Sequence, residues 1–107
     1  MISPDLQRKL DAWNMSLEEI LNSVVEICRK HDVEHVYLFG SYAAGNARPT
    51  SDIDIVIKGG RDLDLLREEV DRIPTLKTID LFIYDQKMNP YLREDIDRYA
   101  VELPLKR

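Results

Sequence analysis

The chain has 107 residues, of which 44% are hydrophobic and 33% are charged, and its formal net charge is −5 at pH 7. This length and composition predict one globular domain, residues 1–107, with a single modest core. The 15 basic residues are scattered among 20 acidic ones, which disfavours direct binding to nucleic acid. No apolar stretch is long enough to span a membrane and the N-terminus lacks a signal-peptide pattern, so we expect a cytoplasmic protein.

Two amphipathic helices are predicted in the first third of the chain. Ser3-Pro4-Asp5 has the cap, the proline and the acid that begin a short helix. Ser16-Leu17-Glu18-Glu19 matches a capping box and predicts a second helix that ends at about His31. Cys28 falls on the apolar side of this helix, which indicates a packed thiol and not a nucleophile. We assign no catalytic role to His31 or His35, which lie near the junction of the helix with the next strand.

The centre of the chain joins a glycine-serine turn to two carboxylates. The strand Val36-Tyr37-Leu38-Phe39 leads into Gly40-Ser41, and a second strand is predicted from Asp52 to Lys58. Side chains alternate along a strand, so Asp52 and Asp54 share one face while three isoleucines take the other. The two carboxylates then stand about 7 Å apart, a spacing that lets both bind a hard cation such as Mg²⁺.

The residues between the two strands suit a phosphate group. Gly40 allows a sharp turn and a close approach by a ligand, and Ser41 is placed to cap a short helix whose first N–H groups and serine hydroxyl can bind phosphate. Arg48 is either a further phosphate contact or a solvated loop residue. Alone, a Gly-Ser pair is usually a turn, and the carboxylates could simply be solvated. A calcium loop fits poorly, because its Gly-plus-Glu pattern is absent. The combination favours a nucleotide-and-metal site.

The remaining elements complete a two-layer domain. Asp62 is expected to cap a helix that ends at Pro74 and covers the sheet. Asn89-Pro90 begins a last helix, which is predicted to have Leu103 on its apolar face and to end at Pro104. Helices that alternate with three strands predict an α+β (α/β two-layer) fold with a small mixed sheet.

The third predicted strand, Thr78 to Tyr84, contains an acid that needs an explanation. Asp80 lies near the start of an otherwise apolar strand, where a buried and unpaired carboxylate would be costly unless a metal or another cation were close. The alternative is an edge position at which Asp80 meets water or a surface lysine. Asp80 is therefore a candidate third acid of the site.

The central segment resembles the signature of the nucleotidyltransferases of the DNA polymerase β superfamily. Gly40-Ser41 is followed after ten residues by Asp52-Ile53-Asp54, and the length of the chain resembles the minimal nucleotidyltransferases of prokaryotes. The resemblance covers nearly the whole chain and implies that Asp52, Asp54 and Asp80 hold the metal ions, with Asp80 also a candidate base, while Gly40 and Ser41 hold the β- and γ-phosphates. One departure is Ala44, where relatives commonly have arginine.

The same resemblance implies a function. It points to transfer of AMP from ATP, with two Mg²⁺ ions, to a tyrosine of a HEPN-domain ribonuclease toxin, so that the chain acts as an antitoxin and could form a hetero-oligomer with the toxin. Two alternatives stay open: an antitoxin that blocks the toxin by contact alone, and a small-molecule nucleotidyltransferase of the aminoglycoside kind. The retained acids favour an enzyme.

Overall fold

A four-stranded mixed sheet with helices packed on it is the main feature of the computed structural model, which describes residues 16–48, 50–85 and 87–105. The strand order is β3-β2-β1-β4, in which β1 runs antiparallel to β2 and β4 while β2 and β3 are parallel. This confirms the predicted small mixed sheet on helices. The helix expected from Ser3-Pro4-Asp5 lies outside the described residues. In chain order, the elements are α1 (Leu17–Lys30), β1 (Val33–Phe39), α2 (Ser41–Ala44), β2 (Ile53–Gly59), α3 (Leu63–Asp71), β3 (Ile79–Ile83), α4 (Pro90–Tyr99) and β4 (Val101–Leu103).

The core lies between one face of the sheet and the helices α1 and α3. Alternation along the strands turns branched side chains towards these helices, and burying each one contributes roughly 1.5–3 kcal/mol. Within the part of the chain that is described, no helix is long and apolar enough to cross a membrane. The fully buried members of the core are Ile20, Val24 and Cys28 of α1, Val36 of β1, Ile53, Ile55 and Ile57 of β2, and Leu66 of α3.

The predicted start of α1 is confirmed. The Ser16 hydroxyl accepts a hydrogen bond from the backbone N–H of Glu19 at 3.1 Å, as a capping box requires. Cys28 is fully buried, and burial raises the pKa of its thiol to about 11. A thiol with so high a pKa is a poor nucleophile, so the structure agrees with a packing role for Cys28.

His31, at the end of α1, is buried and joins α1 to α3. Its Nδ1 lies 2.9 Å from the carbonyl oxygen of Arg61, and its Nε2 lies 3.2 Å from Oε1 of Glu69. Lys30 donates to the other carboxylate oxygen of Glu69 at 2.8 Å. The hydrogen bonds from Lys30 and His31 hold the pKa of Glu69 below its ordinary value. His31 is therefore a buried structural residue, with both ring nitrogens within hydrogen-bond distance of α3 and the segment before it.

The predicted last helix is wrong beyond Tyr99. The chain becomes extended at the next residue, and Val101–Leu103 forms β4, a fourth strand that the sequence did not predict. Leu103 pairs with Val36 in β4, instead of continuing the apolar face of a helix to Pro104. The physical reason is that β1 would otherwise be an open edge with unpaired N–H and C=O groups, which β4 satisfies.

The predicted cap of α3 is also wrong in detail. Asp62 does precede the helix, but its side chain makes no capping hydrogen bond. Its backbone is in the left-handed region, with φ +52°, which asparagine and aspartate tolerate better than most residues. Asp62 therefore allows the turn from β2 into α3, and it accepts a hydrogen bond from the N–H of Leu66 through its backbone carbonyl, at 2.9 Å, and not through its side chain.

Candidate active site

The proposed site residues lie at one end of the sheet. Because β1 is antiparallel to β2, and β2 is parallel to β3, the last residue of β1 lies beside the first residues of β2 and β3. Phe39 pairs with Asp54, and Asp54 pairs in turn with Asp80. The turn at Gly40-Ser41 is thereby brought next to two of the three predicted acids.

Asp54 is the centre of a crowded group of carboxylates. It is half-buried and projects from the sheet face opposite the buried isoleucines, as the alternation predicted. The pKa of its carboxyl is raised above the ordinary value of 3.8, first by burial and then by the negative charges of Asp80 and Asp52. Asp52 itself is exposed just before β2, and Asp80 is partly buried on the edge strand β3. The negative charges of Asp52 and Asp80 thus repel that of Asp54 in the absence of a cation.

Gly40 is fitted closely against Asp54. Its φ is +75°, and a Cβ atom at this position would lie 2.3 Å from Oδ2 of Asp54. A side chain is therefore excluded both by the backbone conformation and by the carboxylate. Gly40 occupies the cap position of α2 and Ser41 is its first residue, so the expectation that Ser41 itself caps the helix is wrong by one residue. The turn closes with a hydrogen bond from the N–H of Ala44 to the carbonyl of Gly40, at 3.0 Å.

Arg48 lies in the loop between α2 and β2, where its backbone is held by Ser51. The N–H of Arg48 donates to the Ser51 hydroxyl at 2.8 Å, and the N–H of Ser51 donates to the carbonyl of Arg48 at 2.9 Å. The Arg48 side chain is exposed. This loop leads directly into Asp52, and the role of Arg48 at a phosphate remains a prediction.

Residues that the sequence reasoning missed also reach this end of the sheet. Lys77, in the loop before β3, donates from Nζ to the Tyr42 hydroxyl at 2.9 Å, and the same Nζ lies 5.6 Å from the centroid of the Tyr42 ring. The backbone N–H of Ile53 donates to the carbonyl of Thr78 at 2.9 Å. These contacts tie the start of β3 to α2 and to β2. No spacing in the sequence signals them, because they join segments that are far apart in the chain.

A cavity of about 480 Å³ borders the turn on the side of α4. Its lining includes Ser41 from the turn, together with Asp95 and Tyr99 of α4. The sequence analysis gave neither Tyr99 nor Asp95 a role in the site. A site at the end of β1 therefore extends further than the signature residues indicated.

The acids fit a magnesium ion that also binds phosphate, and not an ion enclosed by protein alone. Among the described residues, no three His, Cys, Asp or Glu side chains come together as a ready metal cage. Mg²⁺ commonly takes only one or two protein carboxylates and completes its shell with water and phosphate oxygens. Asp54 and its acidic neighbours supply hard oxygen ligands of this kind, beside a turn that can receive phosphates.

A cation bound by these acids would neutralise a triphosphate at the adjacent turn, and such charge neutralisation is the chemistry of nucleotidyl transfer. The fold and the site therefore define a nucleotidyltransferase. The comparison with protein families agrees: residues 22–103 match the family described as "Polymerase beta, Nucleotidyltransferase", and the chain belongs to this family.

Individual proteins are also similar to the chain, two in sequence and one in fold. Two proteins of Methanocaldococcus jannaschii, each named "Putative protein adenylyltransferase", are similar in sequence. One is 34% identical over 93 residues, covering 83% of this chain and 99% of the relative, and the other is 33% identical, covering 72% and 91%. A crystal structure of a toxin-antitoxin with AMP-PNP is similar in fold, with a TM-score of 0.59 and 21% identity over 76% of this chain and 69% of the other.

Proposed function

We propose that the chain is a Mg²⁺-dependent adenylyltransferase that moves AMP from ATP to a tyrosine of a HEPN-domain ribonuclease toxin and so acts as an antitoxin. The observation that supports the chemistry best is the crowding of Asp52 and Asp80 around Asp54, directly beside Gly40. The names of the two relatives support a protein acceptor, and the toxin-antitoxin of similar fold supports the kind of partner. The proposed place of action is the cytoplasm, where ATP is abundant.

Each site residue has a distinct task in this proposal. Asp52, Asp54 and Asp80 bind Mg²⁺, which when bound supplies positive charge against the triphosphate and the attacking oxygen. Gly40 and Ser41 orient the β- and γ-phosphates through a backbone N–H and a hydroxyl. Arg48 donates to a phosphate oxygen from the loop.

The transfer itself needs one proton acceptor. The tyrosine oxygen of the partner attacks the α-phosphorus of ATP in line with the leaving group, the bond from that phosphorus to the bridging oxygen breaks, and pyrophosphate leaves. In this proposal the Asp80 carboxylate accepts the proton of the tyrosine hydroxyl. The products are the O-adenylylated partner and pyrophosphate.

Retention of the acids argues against the alternative of a purely binding antitoxin. Burial and the two neighbouring carboxylates of Asp80 and Asp52 raise the pKa of Asp54, which is an electrostatic cost to the fold, and contact with a toxin does not require this arrangement. A nucleotide-binding enzyme does require them. The proposed catalysis would account for carboxylates that lie close together in spite of their repulsion.

The decisive experiment measures AMP transfer by intact mass. The chain is incubated with Mg²⁺, ATP and a HEPN-domain ribonuclease toxin, and we expect the toxin to gain one or more AMP units. Asp52→Asn and Asp54→Asn should abolish the gain while circular dichroism shows an intact fold. Asp64→Asn, a change at an exposed residue in the first turn of α3, is the matched control and should transfer normally.

Three results would count against the proposal. Near wild-type transfer by Asp54→Asn would remove the metal assignment. Rapid transfer to a small alcohol or to an aminoglycoside would favour the small-molecule alternative. Inhibition of an unmodified toxin, with no mass gain, would favour an antitoxin that acts by contact.

A further inference from the structure

The strand β3 is the outermost strand on one side of the sheet, and it carries Asp80 of the proposed site. Within the described residues, no strand pairs with its outer edge. We propose that this edge holds the acceptor: an extended segment of the partner protein, with a basic residue next to its tyrosine, adds to β3 as a further strand and presents the tyrosine to Asp80. The inference rests on the proposed function, because it names how the acceptor is held at the same site.

The hydrogen bonds between β2 and β3 show which backbone groups face the outer edge. The N–H of Ile53 donates to the carbonyl of Thr78 at 2.9 Å, and the N–H of Tyr84 donates to the carbonyl of Ile57 at 2.8 Å. Successive residues of a strand direct their N–H and C=O groups to opposite edges, so every second residue of β3 faces away from β2. The residues whose backbone groups face outward are Ile79, Leu81 and Ile83.

One of these outward groups already has a partner. The guanidinium of Arg67, on α3, donates to the carbonyl of Leu81 at 3.2 Å, which agrees with the direction derived from β2. A carbonyl oxygen has two lone pairs, so it can accept from a second N–H as well. Within the described part of the chain, no backbone hydrogen bond joins the outward N–H groups of β3 to another segment. Unpaired edge groups of this kind are the template for strand addition.

The opposite edge of the sheet provides the comparison. The strand β4 has only three residues and is followed by Pro104, which has no N–H. By contrast, β3 has five residues, none of which is proline. A short edge strand and a proline are usual protections against pairing with another chain. Strand addition is therefore expected at β3 and not at β4.

A cavity of about 270 Å³ along this edge connects it to the proposed base. Its lining includes Asp80 and Phe82 of β3, together with Arg67 and Asp71 of α3. In an added strand, the residues opposite Asp80 would lie about 4.5–5.5 Å from it and the diagonal ones about 7–8 Å, distances that aromatic side chains span. Phe82 is on the same face as Asp80, is 36% exposed, and offers an aromatic contact to a tyrosine ring.

The charge beside the edge favours a basic residue in the bound segment. Asp71 is exposed at the end of α3, and within the described residues its carboxylate has no ion pair or hydrogen bond. Side chains alternate along a strand, so when the tyrosine shares the face of Asp80, its neighbours in sequence point to the α3 side. A lysine or arginine directly before or after the tyrosine can therefore pair with Asp71.

The first test is amide hydrogen exchange of the full chain, measured by NMR with and without a synthetic nine-residue peptide. The peptide has a central tyrosine between two lysines, and the remaining positions alternate threonine and valine. At saturation, the outward amides of β3 should exchange about tenfold more slowly, because each gains a partner. The amides of Asp80 and Phe82, which face β2, should change little.

Two modified peptides test whether the backbone is what binds. Each carries N-methyl groups on alternate residues, one on the odd positions and the other on the even positions. An added strand pairs with β3 through one of its two edges only. We therefore expect one N-methylated peptide to bind like the unmodified peptide and the other not to bind.

A charge reversal on α3 tests the basic residue. Asp71→Lys should weaken binding of the peptide about fivefold at low salt, and the difference should shrink at high salt. The same change should raise the KM for a HEPN-domain ribonuclease toxin and leave kcat unchanged. Glu68→Lys is the matched control, since Glu68 is exposed on the same helix but does not line the cavity. Both variants should keep the unfolding midpoint of the wild type within about 0.5 kcal/mol in stability.

Three results would overturn the proposed docking at β3. Outward amides that are already protected in the free chain would show that the chain itself covers the edge. Protection that increases with protein concentration, without peptide, would show that two copies pair there instead. Equal binding of both N-methylated peptides would refute pairing through the backbone.

The outcomes also separate this inference from the proposed function. If the toxin gains AMP, and Asp71→Lys and Glu68→Lys both have the KM of the wild type, the proposed function stands and the docking surface is wrong. If the toxin gains no AMP while the peptide protects the outward amides, the proposed function fails, and the edge binds strands without being an acceptor site.

Discussion

Replacing Asp54 by asparagine should stabilise the metal-free fold while it destroys the proposed activity. Asparagine has nearly the shape of aspartate, so the close contact with Gly40 can be kept while the charge is removed. The pKa of Asp54 is raised by burial and by Asp80 and Asp52, which means that its ionised form is disfavoured in the folded state. The variant removes this unfavourable ionisation.

The increase in the free energy of unfolding caused by Asp54→Asn can be estimated from the register of the sheet. Asp54 and Asp80 are paired across parallel strands, so their backbones are about 5 Å apart, and Asp52 lies two residues away, at about 7 Å. In water, unit charges at these separations repel by about 0.8 and 0.6 kcal/mol. Physiological salt removes about half of this. The free energy of unfolding should therefore rise by roughly 0.5–1 kcal/mol at pH 7, which corresponds to about 3–6 °C in Tm.

The sign of the pH dependence is fixed by the direction of the pKa shift. Because the folded pKa of Asp54 exceeds its ordinary value of 3.8, the native state binds the proton more tightly than the unfolded state does. The contribution of the Asp54 carboxyl to the stability of the wild type is greatest below pH 3.8 and is lost as the pH rises through the folded pKa. The advantage of Asp54→Asn should thus be full at pH 7 and should shrink as the pH falls towards 4.

The assay is urea unfolding followed by circular dichroism, with EDTA present, at pH 7 and at pH 4. Asp80→Asn should give a smaller gain of the same sign, since it removes one of the two repulsions, and Asp64→Asn should change little. With saturating Mg²⁺ and ATP, the wild type should become more stable than Asp54→Asn, because only the wild type gains binding energy. A variant less stable than the wild type at pH 7 in EDTA would refute the electrostatic account.

Three further changes test other parts of the structure. Gly40→Ala should lower the urea midpoint more than Gly45→Ala does, because both positions have positive φ but only the first Cβ would meet a carboxylate. Glu69→Gln should lower the midpoint at pH 7 and have less effect as the pH falls below 4.5, since the hydrogen bonds that lower the pKa of Glu69 stabilise the fold only when this carboxyl is ionised. Ala44→Arg should leave ATP affinity equal or higher and Arg48→Ala should lower it; strict additivity in the double variant would show that the two positions share no phosphate role.

The strands and the face of the carboxylates could be predicted because their signals are local. Alternation with a period of two residues identified β2 and placed Asp54 opposite the buried isoleucines, and the structure has both features. The capping box at Ser16 likewise depends on residues only three positions apart. Local patterns of this kind can be read from the sequence because they depend little on the rest of the fold.

The contacts that could not be predicted join distant segments. Lys77 reaches Tyr42 across 35 positions, and His31 reaches Glu69 across 38. The short strand β4 was missed for the same reason, since its hydrogen bonds come from β1, whereas the apolar spacing of its residues also fits a helix. In each case a distant segment of the same chain, and not the local sequence, determines the structure.

The strand β4, which the sequence did not predict, also holds the end of α4 beside the turn at Gly40. The pairing of β4 with β1 puts Val101 opposite Leu38, and in an antiparallel pair the preceding residues continue towards the end of β1. Tyr99 therefore arrives beside the turn at Gly40. A helix that continued to Pro104, as the sequence suggested, could not pair with β1. The residues of α4 that line the cavity, Asp95 and Tyr99, would then not be held next to the turn. The sequence signature thus predicts phosphate and metal residues at the end of β1, whereas the cavity beside the turn depends on a non-local strand pairing.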